Sequence, residues 1–298
     1  MEFQRLKTLH GKVIYKGKPQ KGIRMKTLQA VWSSQRWVEY FRRNSASLMI
    51  IPWELGVSLS AQERRAVESS VPEFQLGESS DGLRFIEMAE HYALQSGDVE
   101  YVRALKLFIR EEQRHGRELG KVLDLAGIPR ISHSWSDVVF RWSRHRCGLG
   151  LSIAILVTAE IIAKIYYIAV RAATTSAPIR RLCDQILQDE VEHIYFQCER
   201  LAILRRHWPG FVVRLVHAWH WVFMAGTSVV VWRKHRLLLR RGGYGYFSFS
   251  GAVFSELKEA IGIMDPRNYH WPAMLERAPL VNAAQKDEDA HGQIVRSS

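Results

Sequence analysis

The chain has 298 residues, is 47% hydrophobic, and sets 42 Lys and Arg against 30 Asp and Glu for a net charge of +12. Such a length and apolar content can bury a substantial core. The basic excess is spread over Arg5 to Lys26, Arg141 to Arg146 and Arg233 to Arg241 without a standard nucleic-acid motif, so it reads as solvated surface and no nucleic-acid partner is expected. Cys147, Cys183 and Cys198 have no CxxC spacing, which argues against a disulfide framework or a thiolate zinc site and for packing thiols in a reducing compartment. No apolar secretory segment opens the sequence, so a cytoplasmic location is the expectation.

Residues 1–60 read as a basic N-terminal arm, with a turn at Gly17-Lys18-Pro19 and a short aromatic helix from Val31 to Asn44 that ends before Ile50-Ile51-Pro52-Trp53. Residues 61–206 read as a bundle. Ser60-Ala61-Gln62-Glu63 is a capping box for a short helix ending before Val71-Pro72. A longer helix then begins, with Ser70 as its cap, Pro72 in the first turn and Glu73 completing the box. It runs through Gly77 and Gly82 to Gln95 and stops at Ser96-Gly97-Asp98. A second helix spans Val99 to Leu125 and ends at Gly127-Ile128-Pro129. Residues 128–148 form a long connection with a short helix at Ser136 to Ser143.

The run from Leu149 to Ala173 is apolar nearly all round, as a buried helix is. Thr174 to Pro178 makes a turn into a fourth helix, from Ile179 to Arg206. Residues 207–280 form a C-terminal helical extension, with helices at 211–241 and from Phe249 to Met264, and the polar tail 281–298 reads as disordered. Two antiparallel hairpins joined by one long connection predict an all-α, ferritin-like four-helix bundle.

Two similar stretches stand out, Glu111-Glu112-Gln113-Arg114-His115 and Asp189-Glu190-Val191-Glu192-His193. A Glu and a His three apart share one helix face and can offer an oxygen and a nitrogen to one metal ion. By spelling alone such a motif is weak: roughly one copy is expected by chance, and a third, Glu288-Asp289-Ala290-His291, lies in the polar tail. Position discriminates better. One face of the second helix holds Leu105, Phe108, Glu112, His115 and Leu119. One face of the fourth holds Cys183, Ile186, Glu190, His193, Gln197 and Leu201. Arg114 and Glu192 are expected to point away. A carboxylate on an apolar stripe is costly unless paired or metal-bound.

Glu160 is the single acid in the apolar 149–173 run and lies opposite Glu190 about the turn; a salt bridge to Lys164 one turn on is the plainer alternative. In the 72–95 segment Phe74, Glu78, Phe85, Ala89 and Tyr92 share the apolar face, whereas Glu87 and Glu90 tend toward solvent. Glu78 precedes an aromatic by seven, as Glu160 precedes Tyr167, which suggests a diverged internal repeat. Hairpin symmetry falls between Glu78 and Glu87, so Glu78 is preferred on its face alone.

The set Glu78, Glu112-x-x-His115, Glu160, Glu190-x-x-His193 resembles the ferritin-like di-iron carboxylate superfamily, which includes rubrerythrin, bacterioferritin and bacterial multicomponent monooxygenases. The resemblance covers about residues 71–206. It implies Glu78 and Glu160 as terminal carboxylates, Glu112 and Glu190 as bridging ones, and His115 and His193 each on one metal. Glu111 and Asp189 would orient the histidines. Tyr92, Tyr166 and Tyr167 stand as hydrogen-bonding or redox neighbours, with core packing as their plainer role. The ligand set suits two iron ions, with manganese accepted in one or both positions.

By the same resemblance the pair reduces dioxygen or peroxide and oxidises or hydroxylates a small organic, lipophilic substrate. Iron or peroxide removal by a ferroxidase or peroxidase is the alternative. A non-catalytic helical scaffold with a vestigial site is the second. No rubredoxin-like Cys-rich segment is present, so an external electron donor is expected, and a homo-oligomer is compatible with the pattern. The 211–236 segment, with Trp219, Trp221 and Trp232 ahead of Arg233-Lys234-His235-Arg236, could touch a membrane surface; packing on the bundle is the plainer reading.

Overall fold

A computed structural model of the chain describes residues 29–80, 82–133 and 148–271. The Gly17-Lys18-Pro19 turn, the helix at 136–143, Cys147, and the 281–298 tail with its third Glu-x-x-His copy lie outside the described residues. Two long hairpins form the centre. The first joins α3 (Val71–Glu78) and α4 (Leu83–Ser96) to α5 (Val99–Leu125); the second joins α6 (Leu149–Ala173) to α7 (Ala177–Leu204). Ahead of them come β1 (Gln29–Ala30), α1 (Ser34–Ser45) and α2 (Ala61–Glu68), and after them α8 (Gly210–Arg241), α9 (Tyr246–Met264) and β2 (Tyr269–His270). The two short strands pair in parallel and bring the ends of the described chain together.

Local chemistry explains most boundaries. Asp98 caps α5 by accepting from Tyr101 N, and Gly97 ends α4 in the left-handed conformation. The capping box at Ser60 and Glu63 forms as expected. Glu63 also accepts from the backbone N–H and hydroxyl of Thr175, tying α2 to the α6–α7 turn. Hydrogen bonds from Ser60 and Thr175 hold its carboxyl down to about 2. That contribution is in place above the usual carboxylate range and is lost as pH falls towards 2.

The segment expected as one helix from 72 to 95 is broken. The break falls at Ser79–Gly82, just after Glu78, because Gly82 sits at φ +66° and Ser79 Oγ turns back onto Gln75 O. Ser70 does not cap α3. Its hydroxyl lies 2.9 Å from Tyr166 Oη and 2.8 Å from His235 Nδ1, and Glu73 pairs with Lys234 and lies 3.6 Å from His235 rather than closing a box. These contacts seat the far half of α8 on the bundle.

Helix α1 lies along α5 and α7. Trp37 and Phe41 are buried there against Phe108 and Phe196, with Tyr40 packed on Trp37 and Phe41, and each such side chain contributes about 1.5–3 kcal/mol. Buried Glu199 of α7 accepts from Trp32 N and Trp37 Nε1, both at 2.7 Å. Arg200 donates to Asp98 and to Ser34, and Ser34 donates in turn to Asp98. Three helices are thereby pinned at one end of the site.

Gly82→Ala should lower stability by about 1–2 kcal/mol from backbone strain alone, and more because the added methyl would lie 2.6 Å from Ile109 Cδ1. Gly77→Ala, in open space within α3, should be neutral or stabilising by about 0.5–1 kcal/mol. Urea unfolding of the two variants checks the pair.

Candidate metal centre

Each predicted ligand sits on a helix face dictated by its apolar neighbours. His115, Glu160, Glu190 and His193 are buried at 0–3% exposure, Glu78 is at 9%, and the Glu112 side chain is at 16%. Two groups of ligand atoms lie within 4.8 Å of one another: Glu112, Glu160, Glu190 and His193 in one, and Glu78, His115 and Glu190 in the other. Glu190 belongs to both. Glu112 also faces both rings, its Oε1 being 2.8 Å from His193 Nδ1 and 3.8 Å from His115 Nδ1.

The rings are held in a crossed pattern. His115 of α5 places Nε2 3.0 Å from Asp189 Oδ2 of α7, and His193 of α7 places Nε2 3.0 Å from Glu111 Oε2 of α5. An ionised carboxylate only accepts, so both imidazoles carry a proton on Nε2 and turn Nδ1 toward the carboxylates inside. Asn44 of α1 donates to Glu111 Oε1 at 2.9 Å and to Asp189 Oδ1 at 2.8 Å, so one amide clamps both orienting acids. Gln185 and Arg114 add further donors to Asp189. Burial works against ionised Asp189, but the His115 hydrogen bond and the Arg114 charge hold its carboxyl well below the usual range.

Acids dominate this interior. Among the described residues neither oxygen of Glu190, nor Glu112 Oε1, nor Nδ1 of either histidine has a hydrogen-bond partner. Burial pushes the Glu190 and Glu112 carboxyls well up, with Glu160 repelling both. Burial also raises Glu160, against the pull of its Glu190 contact and of His193. Burial would lower the His193 ring, yet its bond to Glu111 and the charges of Glu190 and Glu160 bring it up to about 9. Every one of these groups favours a cation at the centre. Oxygen and imidazole donors in this proportion fit iron or manganese.

The break after α3 is what brings Glu78 in. Gly116, beside His115, lets the end of α3 approach α5: a methyl there would meet Ser79 Oγ at 2.6 Å and the Glu78 carbonyl carbon at 3.1 Å. Tyr167 donates to Glu78 Oε1 at 2.6 Å, and Gln197 to Glu160 Oε1 at 3.2 Å. Glu87 instead forms an exposed pair with Arg84 on the outer face of α4. Lys164 pairs with Glu256 of α9, so the plainer account of Glu160 as its partner does not hold.

Two expectations are corrected. Arg114 does not point away but reaches Asp189 at 2.6 Å, and Glu192 is buried. Both lie on the side that α1 covers, and the long-range packing of α1 was not visible in the α5 and α7 patterns. The sequence reading also missed Asn44. Its signal was present, since Asn44 continues the buried stripe of Trp37, Tyr40 and Phe41 as an amide among aromatic residues.

No family model and no curated protein matches the chain. The class is nonetheless defined: the helical arrangement is the ferritin-like, all-α fold. Two solved structures share it. One is a variant of an R2-like ligand-binding oxidase with an aerobically reconstituted Mn/Fe cofactor, at 16% identity and TM-score 0.56, covering 83% of this chain and 95% of that one. The other is a second variant of an R2-like ligand-binding oxidase, with an anaerobically reconstituted Mn/Fe cofactor, at 15% identity and TM-score 0.53, covering 78% and 94%.

Replacing Glu190 by Gln removes one of the four carboxyls clustered at this centre. The metal-free protein should gain about 1 kcal/mol or more, while uptake of iron or manganese falls. Thermal unfolding of chelator-treated protein and elemental analysis of reloaded protein read the two effects separately.

Proposed function

We propose that the chain holds two metal ions, iron with manganese accepted in one or both positions, and uses them to activate dioxygen or peroxide for oxidation or hydroxylation of a small organic, lipophilic substrate. The observation that carries this reading is the pair of imidazole Nδ1 atoms turned onto a cluster of buried carboxylates. That arrangement is unfavourable in a dry interior until cations occupy it. The oxidase neighbours with Mn/Fe cofactors support it at the level of fold.

Glu78 and His115 would hold one ion, Glu160 and His193 the other, with Glu112 and Glu190 shared between them. Four carboxylates balance two divalent ions, so the buried site is near neutrality only when loaded. Once bound, the metals supply the redox chemistry and the electrons that reduce dioxygen or peroxide. The chain positions and insulates. Glu111, Asp189 and Asn44 fix the rings, and Gln197 steadies Glu160. Tyr167 keeps a hydroxyl proton at Glu78 Oε1, where a terminal carboxylate can move without losing its partner. Phe108 edges His193 at 4.7 Å between ring centres and excludes water from that side. An external electron donor returns the electrons consumed in turnover.

Anaerobically purified protein should contain about two iron ions per chain and develop an oxo-bridged ferric absorption on adding dioxygen or peroxide. Glu78→Ala should lower metal occupancy and Glu87→Ala should leave it unchanged. Wild-type protein that takes up neither iron nor manganese would remove both catalytic readings. Multiple turnovers of added ferrous ion without substrate would point to iron or peroxide removal instead.

A further inference from the structure

Helix α8 covers the bundle with one face only. Val213, His220, Met224, Trp232 and Leu239 are buried beneath it. The other face carries Phe211, Leu215, Trp219, Val222 and Val230, exposed at 65, 68, 40, 73 and 42%. Both α6 and α8 are long and apolar enough to cross a membrane, but 78% of the most apolar stretch of α6 is buried against 28% for α8. Helix α6 is therefore the core helix of the bundle, whereas α8 leaves a large apolar surface that no described residue covers.

We propose that the outer face of α8 docks the protein, lying flat, on an anionic lipid surface. Charge argues for this occupant. The 32 residues of α8 contain no acid, and exposed Arg214, Arg233, Arg236 and Arg240 flank the apolar stripe. None of these four forms an ion pair among the described residues. The stripe from 211 to 230 spans about 30 Å of helix, and Phe247, 86% exposed, extends the apolar contact just beyond the turn at 242–245. Apolar side chains would enter the headgroup boundary while arginine stems reach along them to lipid phosphates. Trp219, stacked on Phe223, suits that boundary.

Two other arrangements fit less well. A second copy of the chain would bring the same unpaired arginines against these, like charge on like. A transmembrane course is blocked because the inner face of α8 is fixed to the bundle through His220 to Thr158 at 2.8 Å and His235 to Ser70 at 2.8 Å. The inference does not depend on the metal reading, and its test does not use metal-dependent activity.

Flotation of the full chain with vesicles of phosphatidylcholine alone, or mixed with phosphatidylglycerol, tests it. The protein should float with mixed vesicles and be released by salt. Leu215→Asp with Val222→Asp should abolish flotation while metal content and thermal midpoint stay at wild-type values. Arg236→Gln and Arg240→Gln should each weaken partitioning about fivefold at low salt. Absence of wild-type flotation on mixed vesicles, or equal flotation on neutral ones, overturns the proposal. So does a sedimentation shift from dimer to monomer in the Asp variant without any lipid binding by wild type, which assigns the face to a second copy.

Discussion

The structure depends on two crossed hydrogen bonds between helices α5 and α7. Glu111 holds the ring of His193, and Asp189 holds the ring of His115. Each acid stands next to its own Glu-x-x-His motif but serves the histidine of the other helix, so the two motifs work only as a pair in space. Fixing the proton on Nε2 leaves both Nδ1 atoms facing carboxylates. Four carboxylates and two imidazoles meet in the buried centre of the bundle. Such an interior is destabilising by itself, so the surrounding packing has to offset it.

Much of that packing comes from a segment that does not belong to the four central helices. Helix α1 lays Trp37, Tyr40 and Phe41 over the outside of α5 and α7 and ends on Asn44, whose amide bonds both orienting acids. Hydrophobic burial thus fixes the position of one side chain that fixes two others, and those fix the two rings. At the opposite wall, the interruption between α3 and α4 performs a similar task. A continuous helix would carry Glu78 on a rigid axis. The break, with Gly116 beneath it, lets the end of α3 settle onto α5 and leaves Glu78 in contact with Tyr167.

The apolar character of α6 and α8 has two different outcomes for the same physical reason. Both helices must remove apolar area from water, and α6 does so inside the bundle. Helix α8 finds only part of its surface covered and keeps a stripe rimmed by arginines that form no ion pair among the described residues. A protein surface of that kind is complementary to a lipid interface carrying negative charge. It also lies apart from the buried acids, so surface attachment and metal chemistry place no conflicting demand on the same residues.

The local pattern alone made the long helices and the inward-facing acids of α5, α6 and α7 legible. Periodicity placed the α5 and α6 ends at the residues observed, because long apolar stripes with capping residues leave few alternatives. The same stripes exposed Glu112, Glu160 and Glu190 as acids where none should be. Tertiary structure decided what spacing cannot carry. It broke the 72–95 helix ahead of Gly82, which brought Glu78 beside His115 and Glu190 and left Glu87 paired with Arg84 at the surface. It turned Arg114 and Glu192 inward because α1 covers that side. It also crossed the acid–imidazole pairs, since which carboxylate meets which ring depends on how two helices stand side by side and not on the order of residues along either.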